Sequence, residues 1–335
     1  MSPRTVEIVG GGLSGLSLGL GLRARGIPVR LVEAGRYPRH RVCGEFITAL
    51  DHATRDALRL DPFLRSARPA GFVSWCEEGH RAMRHRLPDR ALCLSRQRLD
   101  SAMAESFLAA GGDLQTGQRG PSTPQPGRVL ACGRRPDPTS PWIGLKQHFR
   151  GVPLKDDLEL HRGKNAYVGL TRVEDNRVNV CGLFPKPTRS KNVSLISCLR
   201  VCGMPELATR LDKATAVEGS FCAVAGLGYR KSGACSLSLG DHQGLIPPFT
   251  GNGMTIALQS AALALDPIEQ WSRGRAEWND AVATVRRAWQ RRFRRRLIIG
   301  NLLHPWLLRP GRRRVVRMLH CCGLLPFGAL YRLCH

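Results

Sequence analysis

Several things are scarce in this chain. Only 6% of its 335 residues are aromatic. Lysine is rarer still, with 7 lysines beside 44 arginines. The twelve cysteines include no paired C-x-x-C spacing and no C…H-x-H pattern, which argues against a zinc site. Cys198 and Cys202 stand one helical turn apart and read as core residues rather than ligands. Acid is missing from one end: residues 286–335 hold 13 arginines and no aspartate or glutamate. The apolar blocks between those arginines, such as Leu297-Ile298-Ile299 and Trp306-Leu307-Leu308, all fall short of the roughly 20 residues that span a bilayer.

What is present is concentrated between Val6 and Glu33. Val6, Ile8 and Val9 read as a buried strand, followed by Gly10, Gly12 and Gly15 at G-x-G-x-x-G spacing. Gly10 allows the tight turn, Gly12 lets backbone approach a pyrophosphate, and Gly15 lets the helix pack against the strand, its N-terminus facing phosphate. The helix carries Leu16, Leu20 and Leu22 and stops at Gly26. Val29, Leu31 and Val32 then form a second strand ending in Glu33, 21 residues past Gly12. A carboxylate there accepts from ribose hydroxyls, which favours FAD or NAD over NADP, whose 2′-phosphate it repels. The alternatives are an ordinary glycine-rich loop or an export signal. Six glycines between Gly10 and Gly21, the charge at Glu7 and the missing cleavage motif argue against export. A reduced, cytoplasmic chain is therefore expected.

The length suggests two associated domains. From Trp142 to Phe184, the runs Leu158–His161, Ala166–Val173 and Arg177–Phe184 alternate with turns, predicting an antiparallel meander that could floor a substrate pocket. Residues 118–127 form a Pro/Gly-rich loop, and Cys198–Lys213 and Asn279–Arg296 are helical in pattern. The formal charge of +25 and pI near 10.8 leave two readings of the arginine-rich tail. It either lies on an anionic membrane surface, making the chain peripheral, or caps the protein with its leucines while its arginines are solvated. No nucleic-acid motif accompanies the charge, so nucleic acid is not an expected partner.

Further segments extend the pattern. A strand from Cys235 to Leu239 leads into Gly240-Asp241-His242-Gln243-Gly244, then Pro248, Gly251 and Gly253, and a helix from Thr255 to Leu265. Arg39-His40-Arg41-Val42-Cys43-Gly44-Glu45 and Arg96-Gln97-Arg98-Leu99-Asp100 lie between the two glycine signatures. In this order the pieces resemble the FAD-dependent superfamily of aromatic-hydroxylase-type monooxygenases, flavin halogenases and geranylgeranyl reductases, over most of the chain to about Trp289.

The resemblance implies an α/β fold: a Rossmann-like FAD-binding domain (1–70, 91–140 and 230–265) interleaved with an antiparallel-sheet substrate domain (71–90 and 141–229), and a basic C-terminal helical region (266–335). FAD is the implied cofactor, with NADH or NADPH as transient reductant. Gly10, Gly12, Gly15, Glu33, Arg41, Arg96, Gly240, Asp241, Pro248, Gly251 and Gly253 are the implied cofactor-binding residues. Arg41 with Cys43-Gly44-Glu45 would line the region near the isoalloxazine, and Cys43 is a weak catalytic candidate. Asp241 can accept from ribityl hydroxyls, while the helix start after Gly253 can stabilise negative charge on the reduced ring. The implied activity is hydroxylation of an aromatic or polyketide-like lipophilic substrate, of the sort met in secondary metabolism, or reduction of isoprenoid double bonds. Three departures stand out. Cys132 occupies the place of an aspartate found in many members; His242-Gln243 replace two alanines; the halogenase W-x-W-x-I-P segment is missing, which lowers halogenation. The first two also leave room for a non-catalytic flavin- or membrane-surface-binding protein. His242 is read as a hydrogen-bonded structural residue rather than an acid or base.

Overall fold

The computed structural model describes the whole chain except residues 1, 81, 135–136, 187–192, 227–235, 245–246 and 309. Strand β1 (Val6–Val9) passes through the glycine turn into α1 (Leu13–Arg23) and β2 (Val29–Glu33). The short β3 (Phe46–Ile47), α2 (His52–Ala57) and α3 (Asp61–Leu64) lead to a long hairpin, β4 (Arg68–Cys76) and β5 (Met83–Cys93). Helix α4 (Arg96–Ala109) returns the chain to β6 (Asp113–Thr116) and β7 (Arg128–Leu130). Strand β8 (Trp142–Arg150) is followed by a three-strand meander, β9 (Leu158–Gly163), β10 (Ala166–Arg172) and β11 (Val178–Pro185), whose last strand pairs back with β8. Then come α5 (Leu195–Val201), α6 (Pro205–Asp212), β12 (Thr215–Ala216), β13 (Cys222–Ala225) and β14 (Leu237–Ser238). Four helices close the chain: α7 (Gly253–Ser272), α8 (Trp278–Leu308), α9 (Pro310–Cys321) and α10 (Phe327–Cys334).

Two sheets result. The first is parallel, in the order β14-β7-β1-β2-β6, and the second has nine strands in the order β12-β8-β11-β10-β9-β4-β5-β3, with β13 also paired to β8. Apart from the parallel β4–β9 pair, the second sheet is antiparallel. This is the mixed α/β architecture expected, with the meander in place. The first core joins the parallel sheet to α1, α4 and α7. Leu16, Leu18 and Leu22 of α1 are fully buried there, each contributing about 1.5–3 kcal/mol by burial. The second core packs one face of the large sheet on α5 and α6, and Cys202 is buried in it with Cys198 against its edge.

Three element boundaries differ from expectation. The stretch Cys198–Lys213 is not one helix, because Gly203 at φ +73 turns the chain and Pro205 starts a new helix. Helix α7 begins two residues earlier than expected and runs to Ser272, through Pro267. Helix α8 continues past Arg296 to Leu308. Of the strand expected from Cys235, β14 covers Leu237–Ser238; Cys235 itself, like Leu245 and Ile246, lies outside the described residues. Among the described residues no helix is long and apolar enough to cross a membrane.

Candidate functional site

The three glycines of the first turn have different physical roles. Gly10 sits at φ +109, and a Cβ there would lie 2.3 Å from the Ala131 carbonyl oxygen. A Cβ on Gly15 would lie 1.9 Å from the Gly10 carbonyl oxygen, so α1 can approach the turn only without a side chain there. Gly12 is unlike both. Among the described residues, leaving aside its chain neighbours and its own helix, a Cβ there meets only Arg96 Nη2 within 4 Å, at 3.8 Å. Gly12 is also the N-cap of α1, which has no side-chain cap and no acid in its first turn. Its first N–H groups and the positive end of its dipole therefore face an open cradle that suits phosphate.

Alternating charges ring this cradle. Glu33 accepts from Gly11 N and Gly35 N, both at 2.7 Å, from Arg39 Nη2 at 2.6 Å and from Arg41 Nη2 at 3.3 Å. Burial opposes its ionisation, but Arg41, the Gly35 and Gly11 amides and Arg39 hold it below the usual carboxylate range. With these four donors its acceptor sites are taken, so a ribose hydroxyl would have to replace Arg39, whose side chain is 30% exposed. Arg41 Nε also donates to Asp100 Oδ2 at 3.2 Å. Asp100, fully buried, takes a bidentate pair from Arg96 at 2.7 Å on each oxygen. Arg41 thus sits at the glycine turn, donating also to the Gly11 carbonyl. Glu33 and Asp100 hold it there from both sides. Tyr37 donates to the same Gly11 carbonyl at 2.5 Å.

Asp241 links the second signature to this ring. Burial pushes its pKa up to about 6, against the opposing attraction of Arg96 and Arg134. Gly240, at φ +56, puts the chain so close to α1 that a Cβ would lie 2.6 Å from Ser14 Oγ. His242 is buried, its Nδ1 2.9 Å from the Gly133 carbonyl, the hydrogen-bonded structural arrangement expected of it. Cys132 Sγ lies 3.3 Å from the Val9 carbonyl. Pro248, Gly251 and Gly253 are joined to another segment. Gly251, at φ +72, would drive a Cβ to 2.3 Å from the Phe46 ring, and its carbonyl accepts from Thr48 Oγ1 at 3.2 Å. Gly253 opens α7, whose N-cap residue Asn252 makes no side-chain cap and donates through Nδ2 to the Cys334 carbonyl.

Between these two groups lies Cys43-Gly44-Glu45. The Cys43 thiol is raised by burial, with Arg96 beside it pulling the other way, so it is a neutral thiol at ordinary pH. Glu45 is fully buried and, at φ +59, turns its carboxylate onto the large sheet. Its oxygens meet His148 Nε2 at 2.6 Å and Lys146 Nζ at 3.3 Å, and one accepts from Arg96 N at 3.1 Å. Lys146 Nζ also lies 2.8 Å from His40 Nδ1, whose pKa is lowered to about 4 by burial and by Lys146. Sequence reading missed Asp100, Lys146 and His148 as site residues. The available signal was the i, i+2 pair Lys146/His148 on one face of an otherwise apolar strand.

Pairing register carries that cluster across the sheet. His148, Asn179, Thr171, Leu158 and Val73 form one cross-strand row, and Lys146, Cys181, Gly169, Leu160 and Trp75 the next. Both rows run from charged or polar at β8 to apolar at β4. Over the apolar end, α8, α9 and α10 enclose a cavity of about 160 Å³, lined by Trp75, Leu160, Phe249, Leu303 and Phe327 among others. That is room for about one aromatic ring.

The structure thus joins two sheets, an open glycine turn and a second glycine loop beside Cys43-Gly44-Glu45. No family model matches the sequence, and no curated protein sequence matches it, but solved structures match nearly its full length. Pseudomonas aeruginosa PqsL, solved with 2-aminobenzoylacetate, is 18% identical at a TM-score of 0.72, covering 95% of this chain and 100% of its own. A geranylgeranyl bacteriochlorophyll reductase-like protein from Thermoplasma acidophilum is 15% identical at 0.75, covering 98% and 96%. The flavin-dependent brominase Bmp2 is 17% identical at 0.73, covering 99% and 98%. At these identities the likeness establishes a shared fold.

Proposed function

We propose that this chain is an FAD-dependent oxidoreductase, a monooxygenase that hydroxylates an aromatic or polyketide-like lipophilic substrate with NADH or NADPH as transient reductant. The observation that carries the reading is the open space at Gly12, beside an uncapped helix start and Arg96, which fits a diphosphate and serves no need of the fold. The glycine turn with Arg41 and Arg96 would hold the diphosphate, and Glu33 the adenosine ribose once Arg39 gives way. Asp241 would hold ribityl hydroxyls, and the Pro248–Gly253 loop the ring edge. FAD bound there supplies the redox chemistry. The protein's own part is placement: the uncapped start of α7 favours negative charge, and the apolar end of the sheet keeps water from a lipophilic substrate. Glu45, His148 and Lys146 would form a dry, mutually bonded cluster behind the site, and Cys43, a neutral thiol, would line it rather than act as a nucleophile.

A second reading, reduction of isoprenoid double bonds, draws support from the aliphatic lining supplied by Val73, Leu158, Leu160, Leu303 and Leu330. Oxygen separates the two. Hydroxylation consumes oxygen together with NAD(P)H when substrate is added, whereas turnover of a prenyl substrate under strict anaerobiosis would overturn it in favour of the reductase. Flavin that stays oxidised with every donor would support a non-catalytic binding protein.

A further inference from the structure

The C-terminal helices are differently made on their two sides. On the inner side of α8, Trp289 and Phe293 are buried, Arg292 pairs with Asp51 at 2.6 Å, and Arg296 donates to Gln259 at 3.0 Å. On the outer side, Arg287, Arg291, Arg294 and Arg295 share an open groove of about 520 Å³ with Ile298 and Ile299, and no carboxylate lines it. One turn beyond Ile298 along the same stripe stands Leu302, 66% exposed, and one turn farther Trp306, 38% exposed. Helix α9 adds Met318, 60% exposed, and lays Arg312 over the Trp306 ring at 5.2 Å. The inner side of α8 supplies its packing on the body of the protein, and Trp306 also meets the cavity, so Ile298 and Leu302 are the part of the stripe surplus to the fold.

We propose that this outer face of α8 and α9 docks the protein on an anionic phospholipid surface, with the cavity roof turned toward the bilayer. The inference deepens the oxidoreductase reading by giving its lipophilic substrate a source. Charge complementarity selects the partner: guanidinium groups bind phosphate as rigid forks, and nothing acidic follows residue 286. The stripe then passes from arginine to Ile298, Leu302 and Trp306, the order of headgroup to acyl boundary. A nucleic acid would engage the arginines and leave those apolar side chains nothing to bury. The same helices roof the substrate cavity through Leu303, Trp306 and Val316, so docking sets the cavity's covering against the phase in which a lipophilic substrate dissolves.

The test is co-sedimentation of the full chain with vesicles of phosphatidylcholine alone and of phosphatidylcholine mixed with phosphatidylglycerol. Binding is expected to the mixed vesicles only. Leu302→Ser with Met318→Ser, which leaves charge unchanged, should weaken it by about tenfold or more. Arg291→Gln with Arg295→Gln should remove the preference for phosphatidylglycerol. These side chains are exposed, and unchanged thermal midpoints will show that the variants fold. Failure to sediment with either vesicle overturns the proposal. So does duplex DNA binding that displaces the vesicles and is insensitive to the serine pair. Sedimentation is read with and without bound flavin, so a chain that binds vesicles but no FAD would sink the oxidoreductase reading alone.

Discussion

Arg96 Nη2 lies 3.8 Å from where a Cβ would stand on Gly12, and among the described residues no other atom beyond its chain neighbours and its own helix comes within 4 Å of that point. The fold therefore tolerates a side chain that a bound diphosphate does not. Gly12→Ala is expected to keep the wild-type thermal midpoint within a few degrees while losing flavin. Gly15→Ala is the contrast: its Cβ would press on the Gly10 carbonyl, and destabilisation of about 1–3 kcal/mol is expected by urea titration. Full flavin occupancy in Gly12→Ala would remove the diphosphate from this turn.

Arg96→Lys tests the ring of charge around the cradle. Lysine keeps the charge near Asp100 but not the paired bonds that fix the guanidinium. The FAD dissociation constant should rise by roughly tenfold with little loss of stability. Asp100→Asn, by contrast, leaves Arg41 and Arg96 without their buried partner, and a cost of about 3–5 kcal/mol is expected.

Asp241 gives the flavin-free protein a pH signature. Its folded pKa, near 6, lies above the ordinary 3.8, so between those values the folded state binds more protons than the unfolded one. Stability from this group accordingly falls as pH rises from about 4 to about 6. Asp241→Asn should be more stable than wild type at pH 7, on the order of 2–3 kcal/mol, with the gap closing below pH 4. A gap that does not change with pH would mean that Asp241 titrates normally.

Glu45→Gln should be costly although it is nearly isosteric, because Lys146 and His148 are fully buried against it. Removing one member of a buried charge cluster costs about 3–5 kcal/mol, measurable as a shift in urea midpoint. Glu45→Gln combined with Lys146→Met should recover part of the loss.

Much of the parallel half was legible in sequence, because a strand, a glycine turn and Glu33 lie within 28 consecutive residues and their geometry is local. The meander was legible too, since β9, β10 and β11 are separated by tight turns. The charged end of the large sheet was not. Lys146 and His148 look like the solvent face of a strand until Glu45, a hundred residues earlier, is folded onto them. Arg41 was read together with Cys43-Gly44-Glu45, and the buried partner that orients its guanidinium, Asp100, lies 59 residues on, out of reach of any local motif. The tail offered a membrane face or a packed cap as alternatives, and periodicity alone does not show that α10 reaches the Pro248–Gly253 loop through Asn252 and Cys334.

The most direct measurement is the visible absorption spectrum of the purified protein after incubation with FAD and removal of excess, with the released chromophore identified. The expected result is the two-banded spectrum of oxidised flavin, one FAD per chain, in the wild type and not in Gly12→Ala. A folded wild-type chain that stays colourless would contradict the assignment of the glycine turn as a flavin site.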